Sequence, residues 1–170
     1  MRFKVTLKNQ LIAIQELIIM NILYFGLIVI LYLSIDWEFF KILFYTLIST
    51  FIIIYLLPVL ILHINYLKYS VKNVYIDEDE MIVENEVIKR KDVQKIILYA
   101  TMQYYTGSDG TSLAYNEHYF RLEVILKSGK ILHITSLLDK NIDKIIESHF
   151  PTIKIEKKKA GFLFLLINQN

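Results

Sequence analysis

Apolar positions run without a formal charge through residues 17–35 and again through 42–67. Only Asp36-Trp37-Glu38-Phe39-Phe40-Lys41 interrupts them. At a rise of about 1.5 Å per residue the first run reaches ~28 Å and the second ~39 Å, against a hydrocarbon core of about 30 Å. The pattern predicts a transmembrane helical hairpin: helix 17–35, external turn 36–41 and helix 42–67. The second run's excess must go into tilt, a kink or the headgroup layer, and Pro58 is the natural kink site. Residues 1–16 are expected to form a cytoplasmic N-terminal segment, polar over its first ten residues, in which Thr6 or Asn9 could cap a helix beginning near Gln10. With no small-residue cleavage site after the apolar run, the start does not read as a removable signal.

After Asn73 the period changes to two. Val74 and Ile76 alternate with Tyr75 and Asp77, the acidic turn Asp77-Glu78-Asp79-Glu80 follows, and Met81-Ile82-Val83 returns. Residues 87–89 make a third strand and 96–105 a fourth. In 118–127, Phe120, Leu122, Val124 and Leu126 oppose Tyr119, Arg121, Glu123 and Lys127. Ser128-Gly129 marks a tight turn into a strand over 130–135. Leu138, Ile142, Ile145, Ile146 and His149 recur at helical spacing up to Pro151. The expected fold is α+β: a hairpin, then a meander of about six strands over 73–150 capped by one helix, then a basic and apolar tail over 151–170.

Lysine and arginine placement orients the hairpin. Arg2, Lys4 and Lys8 precede it, Lys68 and Lys72 follow it, and the turn holds only Lys41 against Asp36 and Glu38. Both termini are expected in the cytoplasm of a bacterial inner-membrane protein. Trp37 suits the outer aromatic belt, and Tyr66 and Tyr69 the inner one.

Composition narrows the classes. The chain is 55% hydrophobic, which the hairpin accounts for. Five of 19 basic and three of 17 acidic residues precede position 71, so residues 71–170 hold 14 of each. That neutral half does not suit general nucleic-acid binding. With no cysteine there is no disulfide, thiolate nucleophile or Cys-based zinc site.

The residues Val74-Tyr75-Ile76-Asp77, Met81-Ile82-Val83, Lys91-Asp92-Val93-Gln94-Lys95-Ile96, Phe120-Arg121-Leu122-Glu123-Val124 and Gly129-Lys130-Ile131-Leu132-His133-Ile134, with the terminal helix, resemble a bacterial pleckstrin-homology-like (PH-like) domain. The two-span hairpin feeding directly into it is similar to the YcxB-like membrane proteins, over roughly residues 10–150. The resemblance implies a bent sheet or partial barrel plugged by a helix, and a binding or scaffolding module rather than an enzyme. It does not imply phosphoinositide binding at the first hairpin, whose four carboxylates would repel a lipid phosphate.

Candidate chemistry is sparse. The acidic run lacks the spaced ligands and glycine of a calcium loop, and no histidine pair has metal-helix spacing. Gly107-Ser108-Asp109-Gly110-Thr111-Ser112 lacks the Gly-Lys-Ser/Thr ending of a phosphate loop. Around it, Tyr104, Tyr105, Tyr115 and Tyr119 suit a protein-binding surface. Lys89, Arg90 and Lys91 are candidates for lipid headgroups. Lys157, Lys158 and Lys159 precede a short apolar stretch that could return to the leaflet as an anchor or pack on the domain or a partner. His63, within the second run, is expected to snorkel to the interface. No catalytic set, cofactor site or metal site can be assembled.

The expected function is therefore a non-enzymatic membrane protein presenting a cytoplasmic protein-interaction module, as scaffold, regulatory subunit or toxin-immunity protein. Its partners are the bilayer and a protein in or at the membrane, with homo-oligomerisation open and nucleic acid not expected. The alternative is an anionic-lipid-binding module. A transporter or membrane-enzyme subunit would rest on Asn21, Ser34, Thr46, Ser49, Thr50, His63 and Asn65.

Overall fold

The computed structural model describes residues 1–77, 80–101, 104–105 and 118–167, the side chains of Phe162 and Leu163 excepted. Two helices are long and apolar enough to cross a membrane, Gln15–Ser34 and Trp37–Tyr69. Only 6% and 17% of their most apolar windows are buried, so the rest of the described chain leaves both largely uncovered. The turn between them is shorter than the charge pattern suggests. Asp36 caps the second helix by accepting from the Phe39 amide at 3.2 Å, and Glu38 and Lys41 pair one turn inside it. Charges that read as a loop are the first turn of a helix.

That second helix has three parts: α3 (Trp37–Phe51), a π-helical turn (Ile52–Leu56) and α4 (Leu57–Tyr69). The wide turn directly precedes Pro58, which has no amide to donate and whose ring crowds the carbonyl four residues back. Before α3 come α1 (Leu7–Ala13), capped by Thr6, and α2 (Gln15–Ser34). Ring contacts of Tyr24 with Phe51 (4.4 Å) and Tyr32 with Phe40 (5.4 Å) set the antiparallel register of the hairpin. By this register α2 begins opposite residues 57–60, and the last turns of α4 run on beyond it. The surplus length is thus not taken up by tilt alone: α4 continues into the β domain.

The domain is two four-stranded sheets rather than one meander. The first has the order β1-β2-β3-β4, with β1 Arg2–Lys4, β2 Asn73–Ile76, β3 Glu80–Val83 and β4 Glu86–Lys89. The second has the order β7-β6-β5-β8, with β5 Val93–Ala100, β6 Phe120–Leu126, β7 Ile131–Thr135 and β8 Ile155–Lys159. All pairings are antiparallel except β5 with β8. A helix α5 (Ile142–His149) precedes β8, and one helical turn α6 (Phe162–Leu165) follows it. Inner positions of both sheets, among them Ile76, Met81, Ile88, Leu98, Leu122 and Ile134, form a core that Ile142 and Ile146 of α5 close. Alternation over 120–126 places Phe120, Leu122, Val124 and Leu126 inward, as the sequence predicts.

Three parts of the chain gain detail that the sequence pattern lacks. Arg2 and Lys4 belong to β1, paired to Tyr75 and Asn73. The fourth strand is Val93–Ala100, so Tyr104 and Tyr105 lie beyond it. Within 151–170, Lys157, Lys158 and Lys159 are the exposed positions of β8, while Leu165 and Ile167 are buried, so this part of the tail packs on the domain, one of the alternatives that its sequence allows.

Candidate functional site

A helix that outruns its partner leaves apolar side chains to be covered, and here the domain covers them. Leu62 and Tyr66 of α4 are both 0% exposed, in a cluster with Tyr119, Leu137, Leu165, Ile167, Ala13 of α1 and Leu17 of α2. Polar groups fix the geometry. His63 Nδ1 and the Tyr119 hydroxyl share a hydrogen bond of 2.8 Å. Asn65 Nδ2 donates to the Ile167 carbonyl at 3.2 Å, and the Ile167 amide donates to Asn65 Oδ1 at 2.8 Å. His63 is thus held by the domain rather than snorkelling. Tyr66 is a buried junction residue rather than part of an aromatic belt. Lys68 and Tyr69 remain at the helix end, with the ammonium 5.0 Å from the ring, and Trp37 and Lys8 remain exposed.

Behind the junction, Arg121 points out of the β sandwich, as the alternation predicts, but is covered. Its Nη1 donates to Glu123 Oε1 at 2.6 Å, and its Nε and Nη2 donate to the Phe164 carbonyl at 3.2 and 3.0 Å. The guanidinium carbon lies 4.4 Å from the Tyr99 ring centroid. One buried cation thus fastens α6 to β5 and β6. His133 lies opposite Glu123 on β7. Burial lowers the His133 imidazole below its ordinary range, Arg121 lowers it further, and Glu123 pulls the other way. Because the unfolded chain then takes up the proton first, stability is highest above about pH 6.5 and falls as the pH drops below it. His133→Gln is expected to flatten that acid limb, measured as the change in denaturation midpoint between neutral and mildly acidic buffer.

Of the four tyrosines expected to form a binding surface, the three among the described residues do not share one. Tyr119 is buried between His63 and Tyr66. Tyr104 donates to Asp143, and Tyr105 donates to the Leu98 and Lys158 carbonyls at 3.0 and 3.2 Å. Burial and the adjacent Asp143 carboxylate hold the Tyr104 phenol well above its usual range. Tyr115, residues 107–112 and Glu78-Asp79 of the acidic turn lie outside the described residues.

Lys89, Arg90 and Lys91 do come together, and Lys127 joins them. They line a cleft of about 630 Å³ with Glu80 and Thr152. Arg90 braces its wall: Nη2 donates to the His149 carbonyl at the end of α5, and the guanidinium lies 5.7 Å from the Phe150 ring. The Lys127 amide donates to the Asp92 carbonyl at 2.9 Å, joining the β6 end to the turn after β4.

The position of this cleft follows from two contacts. Tyr119 meets α4 at His63, and the carbonyl of His133, opposite Glu123, accepts from the Val71 amide at 3.0 Å. From His63 to its end at Tyr69 the helix advances about 9 Å, and Ser70 carries the chain on in extended form to Val71. From 119 to 123 a strand advances about 13 Å. Strand β6 therefore runs alongside α4 and away from the hairpin, and Lys127 is about 26 Å from the His63 level. Strand β8 runs the other way: Lys157, Lys158 and Lys159 pair with Leu98, Tyr99 and Ala100, toward the hairpin.

Within the helices, Asn21, Thr46 and Thr50 each donate to a carbonyl one turn back. Among the described residues no group of three or more His, Asp or Glu side chains could hold a metal ion. Comparison of the chain with family models, with curated proteins and with solved structures finds no match.

Proposed function

We propose that this chain is a non-enzymatic protein of the bacterial inner membrane. Its hairpin spans the bilayer with both termini in the cytoplasm, and its β domain is a PH-like module that binds another protein. The role is that of a scaffold, a regulatory subunit or a toxin-immunity protein. Five cations, Arg2, Lys4, Lys8, Lys68 and Lys72, lie on the domain side of the hairpin, against Lys41 at its turn, which supports the orientation. The observation that carries the reading is the rigid junction of α4 with the domain: a tether that buries Leu62 and Tyr66 holds the module at a fixed stand-off.

A second reading, anionic-lipid binding, draws support from one place only. Lys157, Lys158 and Lys159 run toward the hairpin, and Phe164 beyond them is 70% exposed. Lys89, Arg90 and Lys91 lend it no support, because Lys127, in the same cleft, lies about 26 Å from the His63 level, about three Debye lengths of roughly 8 Å at physiological salt.

Affinity purification of the full-length protein from native membranes, beside an unrelated two-span protein, tests the proposal. The expected result is a protein enriched over the control. Anionic lipid alone would overturn the proposal in favour of the second reading.

A further inference from the structure

The cleft at the far end of the domain is rich in cationic side chains. Among the described residues, four cations, from β4, the turn after it and the end of β6, and one carboxylate, Glu80, line it, and three of the cations are lysines. Lys89, Lys91 and Lys127 have no ion-pair partner among the described residues, whereas Lys95, Lys130, Lys157 and Lys158 each have a carboxylate within 4 Å. Unpaired ammonium groups around a concave wall raise the local potential for an anion. Arg90 holds its side of the wall through bonds to the end of α5, so the cleft is in place before anything enters it.

Size and position choose between anions. A cleft of about 630 Å³ is far larger than a single phosphate needs and is within the range of sites that hold a multi-group ligand. The bilayer that the hairpin would occupy is about three Debye lengths away. We infer that this cleft is the partner-binding site of the module, and that it takes an acidic segment of a protein, with carboxylates spaced along an extended chain. This rests on the reading of the protein as a membrane-held interaction module and names the chemistry of its partner. Lys89 and Lys127, on different elements, grip separate carboxylates; Lys91 adds attraction at the rim.

The test uses the full chain in nanodiscs of zwitterionic lipid and a fluorescein-labelled peptide of alternating glutamate and serine, followed by anisotropy. Saturable binding that weakens as salt rises is expected. The double variant Lys89→Glu/Lys127→Glu should weaken it about tenfold or more, while Lys140→Glu/Lys144→Glu, an exposed pair at α5 with the same change in net charge, should change it less than about twofold. The lysines are exposed, so both variants should fold; matching circular dichroism and elution confirm it. Equal losses in both would reduce the effect to net charge and overturn the assignment. So would full displacement of the peptide by millimolar inorganic phosphate, which identifies a small-anion site, or by phosphatidylserine vesicles, which identifies a lipid site. A chain that does not enter nanodiscs overturns the membrane reading instead. An embedded chain that ignores the peptide overturns only the acidic-segment assignment.

Discussion

Arg121→Met is expected to destabilise the domain by about 3–5 kcal/mol, the range for removing one partner of a buried ion pair. Methionine restores most of the volume, so the loss is electrostatic: Glu123 keeps its charge in a buried place and the Phe164 carbonyl loses two donors. The loss should be local first, with amides from Ala160 to Ile167 exchanging with solvent well before those of β5 and β6. Two further results separate this account from simple packing. Arg121→Met/Glu123→Gln should recover much of the loss, because the stranded charge is gone. The deficit of the single variant should also shrink in mild acid. Without Arg121, His133 faces Glu123 alone and accepts a proton more readily in the folded state. Denaturation of the nanodisc-held protein at two pH values measures both. Strict additivity of the two substitutions with no pH effect would rule the account out.

Arg121 also marks where sequence reasoning stops. Alternation along β6 correctly sends Phe120, Leu122 and Val124 inward and Arg121 and Glu123 outward, because a half-buried strand records its faces in every second residue. It does not record what covers the outer face. Here the cover is α6 and Tyr99, from the chain's end and a neighbouring strand. Lys157, Lys158 and Lys159 are legible only as charge, since an edge strand of three lysines carries no hydrophobic alternation. Three residues, Arg2 to Lys4, are too few for any period, and their pairing with β2 spans some 70 positions. The hairpin is legible because two adjacent charge-free runs of this length suit a bilayer and would overfill the core of a small soluble domain. Its inner end is not, because lipid and a domain core both demand Leu62 and Tyr66. The basic cleft is half legible. Lys89, Arg90 and Lys91 stand out as a run, and closeness to α4 along the chain suggests closeness to lipid. Only the direction of β6 against α4 shows the opposite, and only the fold adds Lys127.

The junction predicts the second large effect. Tyr66→Ala should cost about 3–5 kcal/mol, as for buried aromatic rings in general, while Tyr66→Phe should cost nothing and can add stability. The ring is fully buried against Tyr119 at 5.6 Å between centroids, yet its hydroxyl has no hydrogen-bond partner among the described residues. An unsatisfied buried hydroxyl costs about 1–3 kcal/mol, which phenylalanine avoids. Tyr119→Phe makes the contrast, because its hydroxyl is bonded to His63, and its loss should cost about 0.5–1.5 kcal/mol. Hydrogen exchange across residues 62–71, with denaturation midpoints for all three variants, reads the order directly. If Tyr66→Phe fell as far as Tyr66→Ala, the hydroxyl rather than the ring would hold the junction. If the predicted order holds, the alanine variant becomes a tool. It keeps the cleft and the hairpin but frees one from the other. A module that works only at a fixed stand-off from the membrane should then lose its partner in native membranes while still binding the glutamate peptide in nanodiscs.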